Sequence, residues 1–285
     1  MTTASIAEVR VPAISLRHEV RAAFVVWQRE LIRFVKDRAR TVSALVQPLL
    51  YLFVLGVGLS SIVPAGNGSV DFKTFLFPGV LATSVLFTAS FSGISMIWDR
   101  EFGFLREMLV APVSTTAILT GKCLGGATVA TLQSLVLLIV AGLVGVPYAP
   151  VMMLTLIGLM FLMAFMVTAL GLVLAARIKQ VQSAMPIFQL IIVPTMFLSG
   201  SLFPLSNLPA WLAVLTHLNP MTYAVEPLRS VVFGQLHVDP ATRATFDPGI
   251  VWGHWQVPVG LQVILVVALS IGFLAGAVAR FARTE

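Results

Sequence analysis

The sequence predicts an all-α integral membrane protein with six transmembrane helices, and three observations carry the prediction. Charged residues make up only 11% of the chain, where a soluble domain carries about 25%. Five long stretches contain no Asp, Glu, Lys or Arg: between Arg40 and Asp71, Lys73 and Asp99, Lys122 and Arg177, Lys179 and Glu226, and Asp247 and Arg280. The remaining cations crowd into alternate gaps between these stretches, as the loops of a multi-pass chain require.

A helix that crosses a bilayer takes roughly 20 apolar residues. The run after Lys122 is too long for one crossing, and GVPYAP at 145–150 divides it. The expected spans are therefore 41–63, 74–97, 123–145, 151–176, 182–203 and 257–279. With the N-terminus inside, fifteen of the 18 Lys and Arg fall in cytoplasmic segments, and only Lys73, Arg229 and Arg243 fall outside. That asymmetry puts both termini in the cytoplasm and the chain in the cell (inner or plasma) membrane. The net charge of +6 is then a topological signal, and nucleic acid is not an expected partner. Residues 1–40 lack an apolar run that would read as a cleavable signal. Cys123, the lone cysteine, excludes an intrachain disulfide and reads as a small packing residue.

The expected organisation is one membrane domain over 1–285. It has an N-terminal segment (1–40), spans one to five (41–203), an outer segment (204–256), and the last span with its tail (257–285). In the N-terminal segment, Val20, Phe24, Trp27, Leu31 and Phe34 recur at spacings of 4, 3, 4 and 3. That is one face of a helix, and with Arg21, Arg29, Arg33 and Lys36 off the stripe it suits the membrane surface. The second span carries Ser84, Thr88, Ser92 and Ser95 on one face, for close packing or for a polar pathway. The fifth carries Gln182 and Gln189, with Pro186 and Pro194 as kinks or hinges.

The first part of the outer segment, PLSNLPAWLAVLTHLNPMTYAVEPLRSVVFGQL, is too apolar for an ordinary loop. Asn207 with Pro209, and Asn219 with Pro220, read as two starts of short helices that dip into the outer leaflet and return. Pro227 is expected to shorten or bend the second. Glu226 and Arg229 lie one turn apart, as an ion pair would.

The chain offers no recognisable chemistry of its own. Its only Gly-Lys pair, Gly121-Lys122, is followed by Cys123 and lacks the glycine spacing that cradles phosphate. The six spans as drawn hold no ionisable group, which disfavours an ion-coupled carrier. His18, His217, His237 and His254 are scattered, without metal-ligand spacing.

Residues 100–112, REFGFLREMLVAP, interrupt this oily chain with both signs of charge. Phe102, Leu105 and Leu109 form a stripe at spacings of 3 and 4, beside Met108; Pro112 stops the helix, and Ser114 caps the next. Mixed charge beside Phe and Met suits a protein groove better than lipid. This stretch, continued as DREFGFLREMLVAPVS…ILTGK, resembles the cytoplasmic helix of the ABC-2 type exporter permeases. PTMFLSGSLFPLSNLPAWL…LNPMTYAVEPLR resembles that family's fifth span and re-entrant helices. The likeness covers nearly the whole chain and is nearest to the daunorubicin-resistance-like permeases.

The resemblance implies that Arg100, Glu101, Phe102, Phe104, Leu105, Arg106, Glu107 and Met108 form a coupling helix seated in a separate ABC ATPase subunit. ATP and magnesium would bind that partner, and this chain would hold no cofactor. Two permease chains, identical or related, would pair in the bilayer. The second and fifth spans would line the pathway, with Ser84, Thr88, Phe91, Gln189, Met196 and Phe197 as its side chains. The implied cargo is a hydrophobic or amphipathic compound, a drug or a lipid. The alternatives are a polysaccharide or lipid-linked glycan, and, from another class, a membrane scaffold that transports nothing.

Overall fold

A computed structural model of the chain describes residues 15–60, 72–103, 113–178, 180–206, 208–236, 243, 246–252 and 255–282. The helices are α1 (Leu16–Lys36), α2 (Arg38–Ser60), α3 (Phe72–Glu101), α4 (Thr115–Ile139), α5 (Pro150–Ala175), α6 (Val181–Leu198), α7 (Ala210–Leu218), α8 (Thr222–Phe233) and α9 (Val259–Phe281). A two-residue hairpin, β1 (Val251–Trp252) with β2 (Trp255–Gln256), precedes the last helix. Six helices, α2 to α6 and α9, are long and apolar enough to cross a membrane, matching the six spans read from the sequence.

The helix ends depart from the charge-free runs, and the departure has consequences. α3 continues to Glu101, and α4 starts at Thr115 because the Ser114 side chain accepts from the Ala117 amide. Asp99 and Lys122, assigned above to a loop, therefore lie inside helices and are buried. The expectation of spans without an ionisable group is corrected accordingly. The break at 145–150 holds: Gly145 takes a left-handed φ of 80°, and Pro150 opens α5 where its missing N–H costs nothing. Pro48 does not end α2, which passes it and relaxes into a π turn at Tyr51–Leu55.

α3 is the central element, with 89% of its apolar window buried, against 17% for both α2 and α6. It packs most extensively on α5. A Cβ built on Gly93 would lie 2.7 Å from the Gly171 Cα, so the two backbones touch and only glycine fits. The outward faces of α2 and α6 (Val42, Val46, Val54; Ile187, Leu190) stay exposed and apolar.

α1 carries its stripe differently from the surface-helix expectation. Val20 and Phe24 are exposed, but the helix packs closely on α4 through Val26 and Glu30. Gly121 and Gly125 make room, since a Cβ there would lie 2.5 Å from the Ala23 carbonyl oxygen and 2.7 Å from the Glu30 Cβ. The Trp27 indole donates to Thr128 Oγ1 at 3.0 Å.

At the opposite end, two short helices follow α6. Asn207 lies outside the described residues, and α7 starts after Pro209 without a side-chain cap. Asn219 does serve the start of α8: its Oδ1 accepts from Met221 N at 3.1 Å. Pro227 neither stops nor shortens α8, which runs on to Phe233. Lipid supplies no water to the last carbonyls of a helix. Here Asn219 Nδ2 donates to Thr195 O at 2.7 Å and Thr222 Oγ1 to Leu198 O at 3.2 Å, closing the end of α6.

Candidate functional site

Three buried ionic groups meet where α1, α3 and α4 come together. Lys122 Nζ of α4 is 2.8 Å from Glu30 Oε1 of α1, contacts Asp99 Oδ2 of α3, and donates to Ser95 Oγ at 3.0 Å. Arg29 and Arg33 of α1 reach the other Asp99 oxygen at 3.0 and 3.9 Å. Arg33 also stacks over the Trp98 ring at 5.4 Å. The network joins residues from three separate stretches of chain.

Next to it, the last turn of α3 grips the connection between α5 and α6. Arg100 donates to the carbonyls of Ala175, Ala176 and Ile178 at 3.2–3.4 Å and lies over the Phe281 ring at 5.0 Å. Glu101 Oε2 accepts from Val181 N at 2.7 Å and so completes the start of α6. Phe102 points out, 70% exposed. Phe104, Leu105, Arg106, Glu107 and Met108 lie outside the described residues. The chain resumes at 113, where Ser114 N donates to Glu19 Oε1 of α1 at 3.1 Å. Both flanks of 104–112 are thus fastened to α1, and one of them to the foot of α6 as well.

A groove of about 200 Å³ opens between α2 and α6, with α3 and Gln133 of α4 as its floor. Of the pathway residues expected from the sequence, it brings together Thr88, Phe91 and Gln189. Ser84 instead accepts from Ser134 Oγ at 3.2 Å inside the helix packing. Met196 is buried in the core, and Phe197 is half-exposed away from the groove. Sequence reasoning missed Arg40, Gln47 and Gln133, which line the groove, as well as Glu30, Asp99 and Lys122. A signal existed for Asp99, which extends the hydroxyl series 84, 88, 92, 95 by one further turn. Lys122, Gly126, Val129 and Gln133 likewise share one face of α4.

At the other end of the bundle, Arg229 is fully buried beside Glu226 at 3.5 Å, donates to the Gly200 carbonyl and covers the Phe75 ring at 4.7 Å. The ion pair anticipated from the spacing is present. Asp247 joins it from the segment before the hairpin and is held in turn by Arg243 at 3.6 Å. Burial pushes the Glu226 carboxyl up to about 7, against the opposing pull of Arg229, and burial raises Asp247 as well.

The comparisons with known proteins agree with this architecture. The family model described as ABC-2 type transporter matches residues 21–233, from α1 through α8. The chain belongs to the ABC-2 type transporter family. It is similar to the transport permease ycf38 of Pyropia yezoensis, with 29% identity over 90% of this chain and 86% of the relative. It is also similar to nodulation protein J of Rhizobium leguminosarum bv. trifolii, with 31% identity over 75% of this chain and 82% of the relative. The ycf38 permease of Cyanophora paradoxa is 28% identical over 74% and 73% of the two chains. The ABC-2 chain is accordingly a multi-pass membrane transport component rather than a catalyst.

Proposed function

We propose that this ABC-2 chain is the permease of an exporter that moves an amphipathic compound, lipid-like or drug-like, out of the cytoplasm. ATP and magnesium would be bound by a separate ABC ATPase subunit, and a second permease chain would pair with this one in the bilayer. The end carrying α1 is the cytoplasmic one on this reading, in keeping with the positive-inside asymmetry. The observation that supports it best is the fastening of the two flanks of residues 104–112. Their flanks hold α1 through Glu19 and Asp99, α4 through Lys122 and the start of α6 through Glu101. A push on this segment by a closing ATPase would reach α4, α6 and the N-terminal helix together. α2 and α6, with little buried surface, would respond most.

Glu101→Lys combined with Arg106→Glu tests the reading. In co-purified permease and ATPase, the double variant is expected to insert normally and to lose most ATP-driven transport of a fluorescent amphiphile into inverted vesicles. Normal transport by the folded double variant would remove the coupling role. Recovery of the wild-type chain from native membranes without an ATPase would favour a scaffold instead. Gln47, Gln133 and Gln189, three amides lining one groove, favour a glycan-bearing lipid as a second reading of the cargo.

A further inference from the structure

Beneath the elbow that joins α1 to α2 lies a second, much smaller cavity, of about 30 Å³. Arg33, Asp37 and Arg40 line it from the elbow, Ser92 from α3 and Gln133 from α4. It shares Arg33 and Asp37 with a wide cleft of about 580 Å³, which the exposed Lys36 and Phe102 also line. It shares Arg40 and Gln133 with the groove between α2 and α6. The cavity is therefore the narrow point between surface cleft and groove.

Polar atoms at this narrow point have needs that no side chain meets. The Gln133 amide nitrogen is a buried donor without a hydrogen-bond partner. Glu30 Oε1 is a buried acceptor whose 2.8 Å contact with Lys122 lacks hydrogen-bond geometry. Ser92 Oγ makes a long bond, 3.4 Å, to the Thr88 carbonyl. Enclosed polar atoms in native proteins are rarely left unmet. What meets these must accept from an amide and also donate to a carboxylate. An ion is not called for, because the lining charges balance. Arg33 and Arg40 stand against Glu30 and Asp37, and both acids attract Arg40. An organic ligand does not fit either, since its site would take roughly 300 Å³ or more. At roughly 10–15 Å³ for each water, the volume suits about two.

We propose that this cavity is an internal water site, and that the α1–α2 elbow is seated on the bundle through its waters. The chain of waters accepts from Gln133 Nε2 at one end and donates to Glu30 Oε1 at the other. Such bridges are nearly as strong as direct hydrogen bonds, and they re-form when the groups they join shift. α2, whose apolar stretch is only 17% buried, can then tilt on a wet seam without tearing a packed core. The site is a property of the fold and does not depend on the exporter reading.

Single cysteines in the full Cys123→Ala chain, held in nanodiscs, test it with Ag⁺ as a small hydrophilic probe. Ser92→Cys and Val129→Cys put a thiol at the cavity, whereas Thr131→Cys puts one on α4 at a position that does not line it. The native residues are similarly enclosed, at 8%, 9% and 6% exposure. Thiols left unreacted are counted with a maleimide after unfolding. The two cavity thiols are expected to react at least about tenfold faster than Thr131→Cys. Water lowers the cost of ionising a thiol, and one pKa unit is worth that factor. Sulfonatoethyl methanethiosulfonate, too large for the cavity, is expected to leave all three unmodified. Gln133→Leu should slow the reaction of Ser92→Cys about fivefold, the worth of one hydrogen bond.

Equal rates at the three positions, entry of the bulky reagent at Ser92→Cys, or indifference to Gln133→Leu would overturn the proposal. If the variants misfold, the wild-type chain decides. Hydroxyl radicals made from water by a brief X-ray pulse should oxidise Val129 at the cavity and spare the fully buried Leu137. Oxidation of neither, or of both alike, would overturn the proposal as well. None of these results bears on whether the chain recruits an ATPase, so the exporter reading stands or falls separately.

Discussion

The two buried ionic clusters among the described residues solve the same problem in opposite ways. Around Lys122, two acids and three cations are drawn from three helices, and two of the cations, Arg29 and Arg33, are partly exposed. Around Arg229, the one ion-pair partner among the described residues is Glu226, three residues away on the same helix, with Asp247 added from a neighbouring segment and the Gly200 carbonyl accepting from the guanidinium. The first cluster ties distant parts of the chain together; the second fixes one short helix in place. A buried pair is weak evidence for stability but, once one partner is removed, a strong source of instability. What distinguishes the clusters is therefore what each holds, and whether its charge balances without a proton.

The sharpest test of that contrast is Lys122→Met. It leaves Glu30 and Asp99 buried without their shared cation, and a loss of about 3–5 kcal/mol is expected, read as a lower melting temperature in detergent. Adding Glu30→Gln and Asp99→Asn should recover most of it. No recovery would mean that Lys122 matters through packing and not through charge.

At the other end, two carboxyls share one enclosed arginine, and the prediction concerns pH. A carboxyl whose folded pKa is raised stabilises the protein fully below its ordinary value of 4.5 and loses that contribution as pH rises through about 7. Melting temperature should fall between pH 5 and about 8, and Glu226→Gln should flatten the dependence. An unchanged slope in that variant would assign the titration to another group.

Arg33→Gln is expected to have the smallest effect, below about 1 kcal/mol, because its contact with Asp99 is 3.9 Å long and the arginine end is 35% exposed. A larger loss would show that the cation–π contact with Trp98 carries more than the ion pair.

How far the sequence foretold all this depends on the range of the interaction. The spans, the GVPYAP break, the Ser114 cap and the Glu226–Arg229 pair are local, set by hydropathy or by a spacing within one turn or two, and they were readable. Asp99 and Lys122 were assigned to a loop because counting charge-free residues measures the greasy part of a helix, not its full length. Lys side chains normally extend toward the interface; here Lys122 turns inward because two acids wait for it. The groove was legible only in part. Thr88, Phe91 and Gln189 come from the two spans that the family resemblance pointed to. Arg40 and Gln133 come from the first and third spans, and no periodicity within one helix can tell which helices will be neighbours. Ser84 and Met196 lie on the same two helices as the groove residues but are rotated into packing.

The backbone contact between Gly93 and Gly171 has a mechanical consequence. With no side chain between them, α3 and α5 meet backbone to backbone at this crossing, and any larger residue at either position would have to push the two helices apart. On the exporter reading, an opening would leave this well-buried pair together and move α2 and α6, whose apolar stretches are only 17% buried.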